Sequence, residues 1–166
     1  MDDSKSITIR DAVPADAPAV REVGLATWPP TYGPIMGDAY VADGLERYWG
    51  ADFIAQLIAA GRVSVAATED GTVVGMTSVS PGEDGIPVMW KLYVHPDHHG
   101  KGIGSALLRA AFIRAARTSD RLRLDVLAGN DAAHAFYLSK GFRETGRAPD
   151  ADHPEWPDTI WMEASV

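Results

Sequence analysis

A mixed α/β domain of the α+β type is the fold this sequence predicts, on three observations. Two β-type runs, 63–68 and 72–80, flank Glu69-Asp70-Gly71, and Asp-Gly tolerates the positive φ of a tight hairpin turn. The run Ile86–Val94 is apolar at nearly every position, as in a strand covered on both faces. The stretch Ser105–Thr118 sets Leu107, Leu108, Ala111, Phe112 and Ala115 on one helical face, with Arg114 and Arg117 in the last turn, where the helix dipole favours cations.

The other elements follow from local pattern. Ile7-Thr8-Ile9-Arg10 alternates apolar and polar as a short strand does, and Pro14 with Asp16 opens a helix running towards Leu25. Trp28–Gly37 holds three prolines and two glycines and reads as loop; Leu45–Ala60 resumes helical spacing through Trp49, Phe53, Leu57 and Ile58 and stops at Gly61. Within Ile86–Val94, strict alternation places Val88, Trp90, Leu92 and Val94 on one face and Met89 and Tyr93 on the other. Leu122, Leu124 and Val126 alternate as a strand, and Asp131–Lys140 is a short helix capped by Asn130 and ended by Gly141. Phe142–Thr145 and Thr159–Ala164 read as two last strands, separated by an acidic, proline-containing loop over 148–158. Residues 1–5 and 165–166 are expected to be ragged ends.

At 166 residues, with no repeat and no linker, the chain reads as one domain over 1–166. There is no cysteine, so no disulfide frame, thiolate nucleophile, zinc knuckle or iron–sulfur site is expected, and a cytoplasmic setting fits. Apolar stretches fall far short of the ~20 residues that cross a bilayer, and the polar, acidic N-terminus carries no export pattern, so no membrane partner is expected. A net charge of −8 repels phosphate backbones, which makes nucleic acid an unsuitable partner and a cationic one easier to accommodate.

The strongest chemical signal lies where the apolar strand passes into the best helix: His95-Pro-Asp-His98-His99-Gly100-Lys101-Gly102-Ile103-Gly104-Ser105. Gly100, Gly102 and Gly104 remove Cβ atoms that would hold a phosphate away from backbone N–H groups, and the first turn of a helix leaves its own donors unpaired. With the Lys101 ammonium, the segment reads as a cradle for a diphosphate. A Walker loop and a dinucleotide fingerprint both fail on spacing. The structural alternative is a glycine-rich helix start that binds nothing. His95, His98 and His99 also admit a metal reading, but they lie on a turn, without the i, i+4 spacing of a two-histidine helix motif, and no metal site is expected.

On these residues the chain resembles the GCN5-related N-acetyltransferase (GNAT) family, whose pyrophosphate-binding motif has the form Arg/Gln-x-x-Gly-x-Gly/Ala after the fourth strand. Here His99 stands in the place of the leading Arg or Gln, followed by Gly100-Lys101-Gly102-Ile103-Gly104. The likeness extends from the Ile7 strand to the Phe142 strand. It implies the GNAT fold: a central mixed, mostly antiparallel sheet flanked by helices, whose fourth and fifth strands splay apart. It also implies acetyl-CoA as co-substrate without a metal. Pantetheine would lie along main-chain groups at Leu92, Tyr93 and Val94, and pyrophosphate against His99 and Gly100 to Ser105. Asn130 and Tyr137 match the family segment in which the Asn contacts the cofactor and the Tyr lies near its sulfur. Seven residues make nearly two helical turns, so both can face one extended ligand. Tyr137 would then protonate the departing thiolate; as a residue alone it is equally a core aromatic beside Phe136. Asn130 is equally a plain helix cap.

Many family members carry a carboxylate where this chain has Val88, so the base is expected to act through a water relay, with Glu83, Asp84 and Asp125 as possible ends. Direct attack in a ternary complex is expected, since no cysteine can carry the acetyl group. Substrate contacts are expected from two irregular segments. The first offers Trp28, Tyr32, Asp38, Tyr40, Asp43 and Glu46; the second offers Asp150, Asp152, Glu155, Trp156 and Asp158. Aromatic faces with carboxylates suit a small cationic or polyamine-like amine, although solvated acidic loops explain the same residues. Two other readings stay open: acetylation of a protein N-terminus or lysine, and a non-catalytic acyl-CoA sensor. The family leads one to expect a homodimer.

Overall fold

The computed structural model describes residues 6–166, so the ragged start expected over 1–5 lies outside the described residues. Seven strands and five helices follow in the order β1 (Thr8–Asp11), α1 (Ala17–Met36), α2 (Asp38–Trp49), α3 (Ala51–Ala59), β2 (Val63–Ala67), β3 (Val73–Pro81), β4 (Pro87–Val94), α4 (Ile103–Ala115), β5 (Arg121–Leu127), α5 (Asp131–Ser139), β6 (Arg143–Ala148) and β7 (Thr159–Ser165). The sheet order is β1-β2-β3-β4-β5-β7-β6. Every pairing is antiparallel except β4–β5, which is parallel and registers at a single pair, Val88 with Arg123. Beyond that pair the two strands part company.

Helices cover both faces. Val20, Val23, Trp49, Ile54 and Ile58 of α1–α3 close over Val63, Val65, Met76 and Tyr93. On the opposite face α4 and α5 pack Leu108, Ala111 and Tyr137 against Met89, Leu124, Val126 and Met162. Burial on the order of ~1.5–3 kcal/mol for each such side chain is what fixes these layers.

Four local expectations are corrected. The Trp28–Gly37 segment is not loop: α1 runs through Pro29, Pro30 and Pro34 to Met36. All three prolines are exposed while Thr27 and Trp28 are buried, so solvent reaches the carbonyls that lost a donor and tertiary packing holds the helix. Leu45–Ala60 is two helices, broken at Gly50, whose ψ of 151° is extended. The break turns fully buried Trp49 onto Gly24, where a Cβ would overlap its ring; Trp28 sits likewise on Gly44. Alternation along β4 fails at a bulge, because Ser78 faces Lys91 and Val79 faces Met89, leaving Trp90 as the extra residue. Met89 therefore joins the α4 face with Leu92, and Tyr93 the α1–α3 face. The chain end is not ragged at Ser165, which belongs to β7, and Val166 N–H donates to Asp120 O at 2.9 Å.

Candidate active site

The glycine segment folds as a cradle. Gly100 and Gly102 adopt φ of 76° and 77°, a left-handed conformation that L side chains rarely take, and Gly102 is the N-cap of α4. A Cβ on Gly104 would meet nothing closer than the Phe136 ring at 3.8 Å. Ile103, only 2% exposed, anchors the first turn in a cluster with Ala66, Val74 and Leu107. The N–H groups of that turn therefore sit on a fixed frame. His99, standing where the family motif has Arg or Gln, bonds through Nε2 to the Val94 carbonyl at 2.7 Å and ties the turn to the end of β4. His95 Nδ1 accepts from Asp97 N–H at 3.2 Å. These histidines serve the turn, and among the described residues no group of three or more His, Cys, Asp or Glu is placed to hold a metal.

Three adjoining cavities lead from this cradle across the sheet. The first, about 490 Å³, is bounded by Gly100, Gly102, Gly104, Ser105, Phe136 and Tyr137, with Leu92 and Val94 along one side. The second, about 460 Å³, shares Leu92, Val94, His99 and Tyr137 and lies in the opening between β4 and β5, reaching Asn130 and Asp125. The third, about 640 Å³, shares Tyr32, Trp90, Tyr93 and Asp125 with the second and opens beneath α1–α3, where Tyr48, Phe53 and Lys91 line it. Among the described residues no strand pairs with β4 on the β5 side beyond Val88. Apart from the Val94 carbonyl, which is bonded to His99 Nε2, main-chain groups of β4 there are open to a ligand that lies as an added strand would. Cradle and opening together fit the diphosphate and pantetheine arms of acetyl-CoA, with Leu92 and Val94 at the walls. The Tyr93 ring turns to the third cavity, its hydroxyl 3.1 Å from that of Tyr32. Lys101 is exposed and lines none of the three.

Tyr137 lies where the first two cavities meet, 9% exposed, with edge-on contacts to Phe136 and Phe142 at 5.3 and 5.6 Å. It is both a core aromatic and a cavity residue. Burial first, then the nearby Tyr32 and Asp125, pushes its phenol well above the ordinary 10, so it stays protonated. Asn130 Oδ1 caps α5 through Ala133 N–H at 3.4 Å while lining the second cavity, so both of its roles are open to it. Asp125 has no ion pair among the described residues; burial raises its carboxyl above the ordinary 3.8, against a smaller lowering by its own backbone N–H. Asp84 is taken by Arg123, which also donates to Glu163 Oε2 at 2.8 Å and locks the paired end of β4 and β5. Neither Glu83 nor Val88 reaches the three cavities.

Trp28 and Tyr32 line the third cavity, in edge contact at 4.8 Å. Trp156 does not; it meets Tyr40 edge-on at 5.3 Å in a separate rim cavity of about 280 Å³ with Asp43, Asp150 and Asp152. Much of the acidic rim is internally satisfied: Asp150 accepts from Asp152 and His153 N–H at 2.9 Å, Asp43 pairs with Arg47 and Glu155 with His153. Sequence reasoning missed Lys91, Tyr48, Phe53, Ser78 and Ser80. Lys91 carried a signal, being the one charge inside an apolar strand run.

Comparison with known proteins agrees with this geometry. Residues 25–142 match the family model described as the acetyltransferase (GNAT) family. An aminoglycoside N(6')-acetyltransferase type 1 of Stenotrophomonas maltophilia is 33% identical over 151 residues, 84% of this chain and 88% of that protein. An uncharacterized N-acetyltransferase of Mycobacterium tuberculosis is 29% identical over 133 residues, 79% of this chain and 85% of that one. Among solved structures, the PaiA N-acetyltransferase of Thermoplasma acidophilum in complex with coenzyme A superposes with a TM-score of 0.81 at 23% identity, over 97% of this chain and 99% of that one. No helix among the described residues is long and apolar enough to cross a membrane. With a glycine cradle at the start of α4 and a sheet that opens between β4 and β5, this chain belongs to the GNAT family and is an acetyl-CoA-dependent N-acetyltransferase.

Proposed function

We propose that the acceptor is a small-molecule amine that enters the third cavity and attacks directly in a ternary complex. The observation that carries this is the junction at Asp125, where the aromatic cavity meets the strand opening beside Tyr32, Trp90 and Tyr93. Bound there, acetyl-CoA supplies an acetyl thioester whose C–S bond breaks as the N–C bond forms. Asp125 accepts the proton that the amine nitrogen must lose, directly or through a water, in place of the carboxylate missing at Val88. Burial suits it to that task, because a raised carboxyl is a better base than an exposed one. Tyr137 gives its phenolic proton to the sulfur. A thiolate in the same desolvated opening is raised as the phenol is, so the transfer stays close to the uphill ~2 kcal/mol expected from the free pKa values. Gly100 to Ser105, Asn130, Leu92 and Val94 bind and orient the cofactor.

The experiment is thiol release from acetyl-CoA across an amine library. Tyr137→Phe should lower kcat about 100-fold with coenzyme A affinity within twofold by calorimetry. Asp125→Asn should lower kcat/KM by a similar factor, and the parent's acid limb should lie above pH 3.8. Unchanged turnover in either variant removes that role. Intersecting initial-rate lines would support the ternary complex; parallel lines would exclude it. A second reading, a polycationic acceptor held at the rim, is favoured by the Asp43, Asp150, Asp152 and Trp156 cavity and by the aminoglycoside-acetylating relative. Its signature would be turnover of polyamines or aminoglycosides in preference to monoamines. The homodimer that the resemblance implies is tested by light scattering.

A further inference from the structure

Lys91 is the unexplained group in this site. Its residue is 7% exposed and it lines the third cavity, yet its ammonium has no hydrogen bond or ion pair with any described residue. It lies over three rings instead, 4.9 Å from the centroid of Phe53, 5.2 Å from Trp49 and 5.9 Å from Tyr48. Its Nζ is not sealed in with the unpartnered Trp28 and Trp49 indole nitrogens but opens on the cavity, where ring faces moderate the charge and leave its N–H donors available to a ligand. The residue is not a stray of the strand pattern either. The bulge at Trp90 and the bond from Thr77 Oγ1 to the Lys91 carbonyl at 2.9 Å hold it on the face it shares with Tyr93.

Asp125 is the one carboxylate among the described residues that line the same cavity; besides Ser78, Ser80 and Thr159 the remaining walls are aromatic and aliphatic. A pocket with one anion, one cation and largely aromatic and aliphatic walls is complementary to a zwitterion. A polycation would set its second charge against Lys91. A phosphate dianion would call for more donors than one ammonium supplies, whereas a carboxylate is matched by one.

Resting on the acetyltransferase reading above, we propose that the acceptor is an amino carboxylate with an apolar body, an amino acid whose amine meets Asp125 and whose carboxylate is bound by Lys91. Lys91 is then a specificity-determining residue: it selects acceptors and takes no part in moving protons at the reacting nitrogen.

The test compares each amino acid with its decarboxylated partner: L-phenylalanine with phenethylamine, L-leucine with 3-methylbutylamine, and 5-aminovalerate with butylamine. Parent, Lys91→Met and Lys91→Gln are assayed by thiol release from acetyl-CoA. The expected result is a parent preference of tenfold or more in kcat/KM for the carboxylate member of at least one pair. Both variants should lose 30-fold or more on that member, chiefly through KM, and stay within threefold on its decarboxylated partner. Equal losses on both members would make Lys91 a structural residue and overturn the inference. So would a parent that prefers the decarboxylated amines, or one that turns over only polyamines or aminoglycosides, with the acetyltransferase reading intact. No acceptor-dependent thiol release with amines of any class would bring down both.

Discussion

Lys91 shows how one residue trades stability for a site. Burial lowers its ammonium from the ordinary 10.5 to about 8, which corresponds to about 3 kcal/mol of stability forgone at neutral pH. The unfolded chain binds this proton up to pH 10.5 and the folded chain releases it near 8. The deficit is therefore complete below pH 8 and disappears as pH rises towards 10.5. Lys91→Met should accordingly raise Tm by roughly 6–12 °C at pH 7, and the gap to the parent should narrow above pH 8, as followed by calorimetry in buffers of equal ionic strength. A variant less stable than the parent at pH 7 would contradict this account. At this scale the sequence was unevenly legible. Asn130 and Tyr137 were readable because a helical spacing of seven and a family pattern coincide on them. Asp125 was only one of three acids, since nothing local distinguishes a buried strand carboxylate from Asp84, which Arg123 has taken. Lys91 was visible as a charge among apolar neighbours, but the rings that surround it come from α2 and α3, far away in sequence.

Among the elements, the junction of β4 with α4 was read most fully, because a glycine's left-handed φ and a helix's unpaired first-turn donors are properties of neighbouring residues. It also carries a clear prediction. Gly102→Ala places a Cβ on a residue at φ 77°, a strain of about 1–2 kcal/mol, and re-aims the N–H groups of the cradle. Coenzyme A affinity should fall at least tenfold by calorimetry, with a Tm loss of roughly 2–8 °C. An unaffected affinity would mean the cradle lies elsewhere. Other elements resisted reading. The prolines of α1 argue for loop by every local rule, and the helix survives because Trp28 and Trp49 press into Gly44 and Gly24. The single helix expected over 45–60 became two for the same reason. The bulge at Trp90 left no mark on a run in which either face is apolar, so Met89 was assigned to the wrong side.

For the molecule as a whole, the split sheet and its chain of cavities set the response to ligand. The cofactor arms would add contacts along β4, α4, β5 and α5, elements that share one core cluster beneath the cavities. Coenzyme A at 100 times its Kd should therefore add about 2.7 kcal/mol of stability. Differential scanning calorimetry should show that as a rise of roughly 5–11 °C in Tm. No rise under saturating ligand would mean that the folded state does not bind it.

By itself the sequence determined the mixed α/β class, the hairpin at Asp70-Gly71, the capped helix after Asn130 and the glycine turn into α4, because each is written in residues close together along the chain. Only the tertiary structure decided that β4 and β5 part beyond Val88 and that α1 continues through its prolines. It alone brought Lys91, Asp125 and the rings of three helices to the walls of one cavity. Those outcomes depend on which distant surfaces bury one another, and burial energies of several kcal/mol override local preferences of about one.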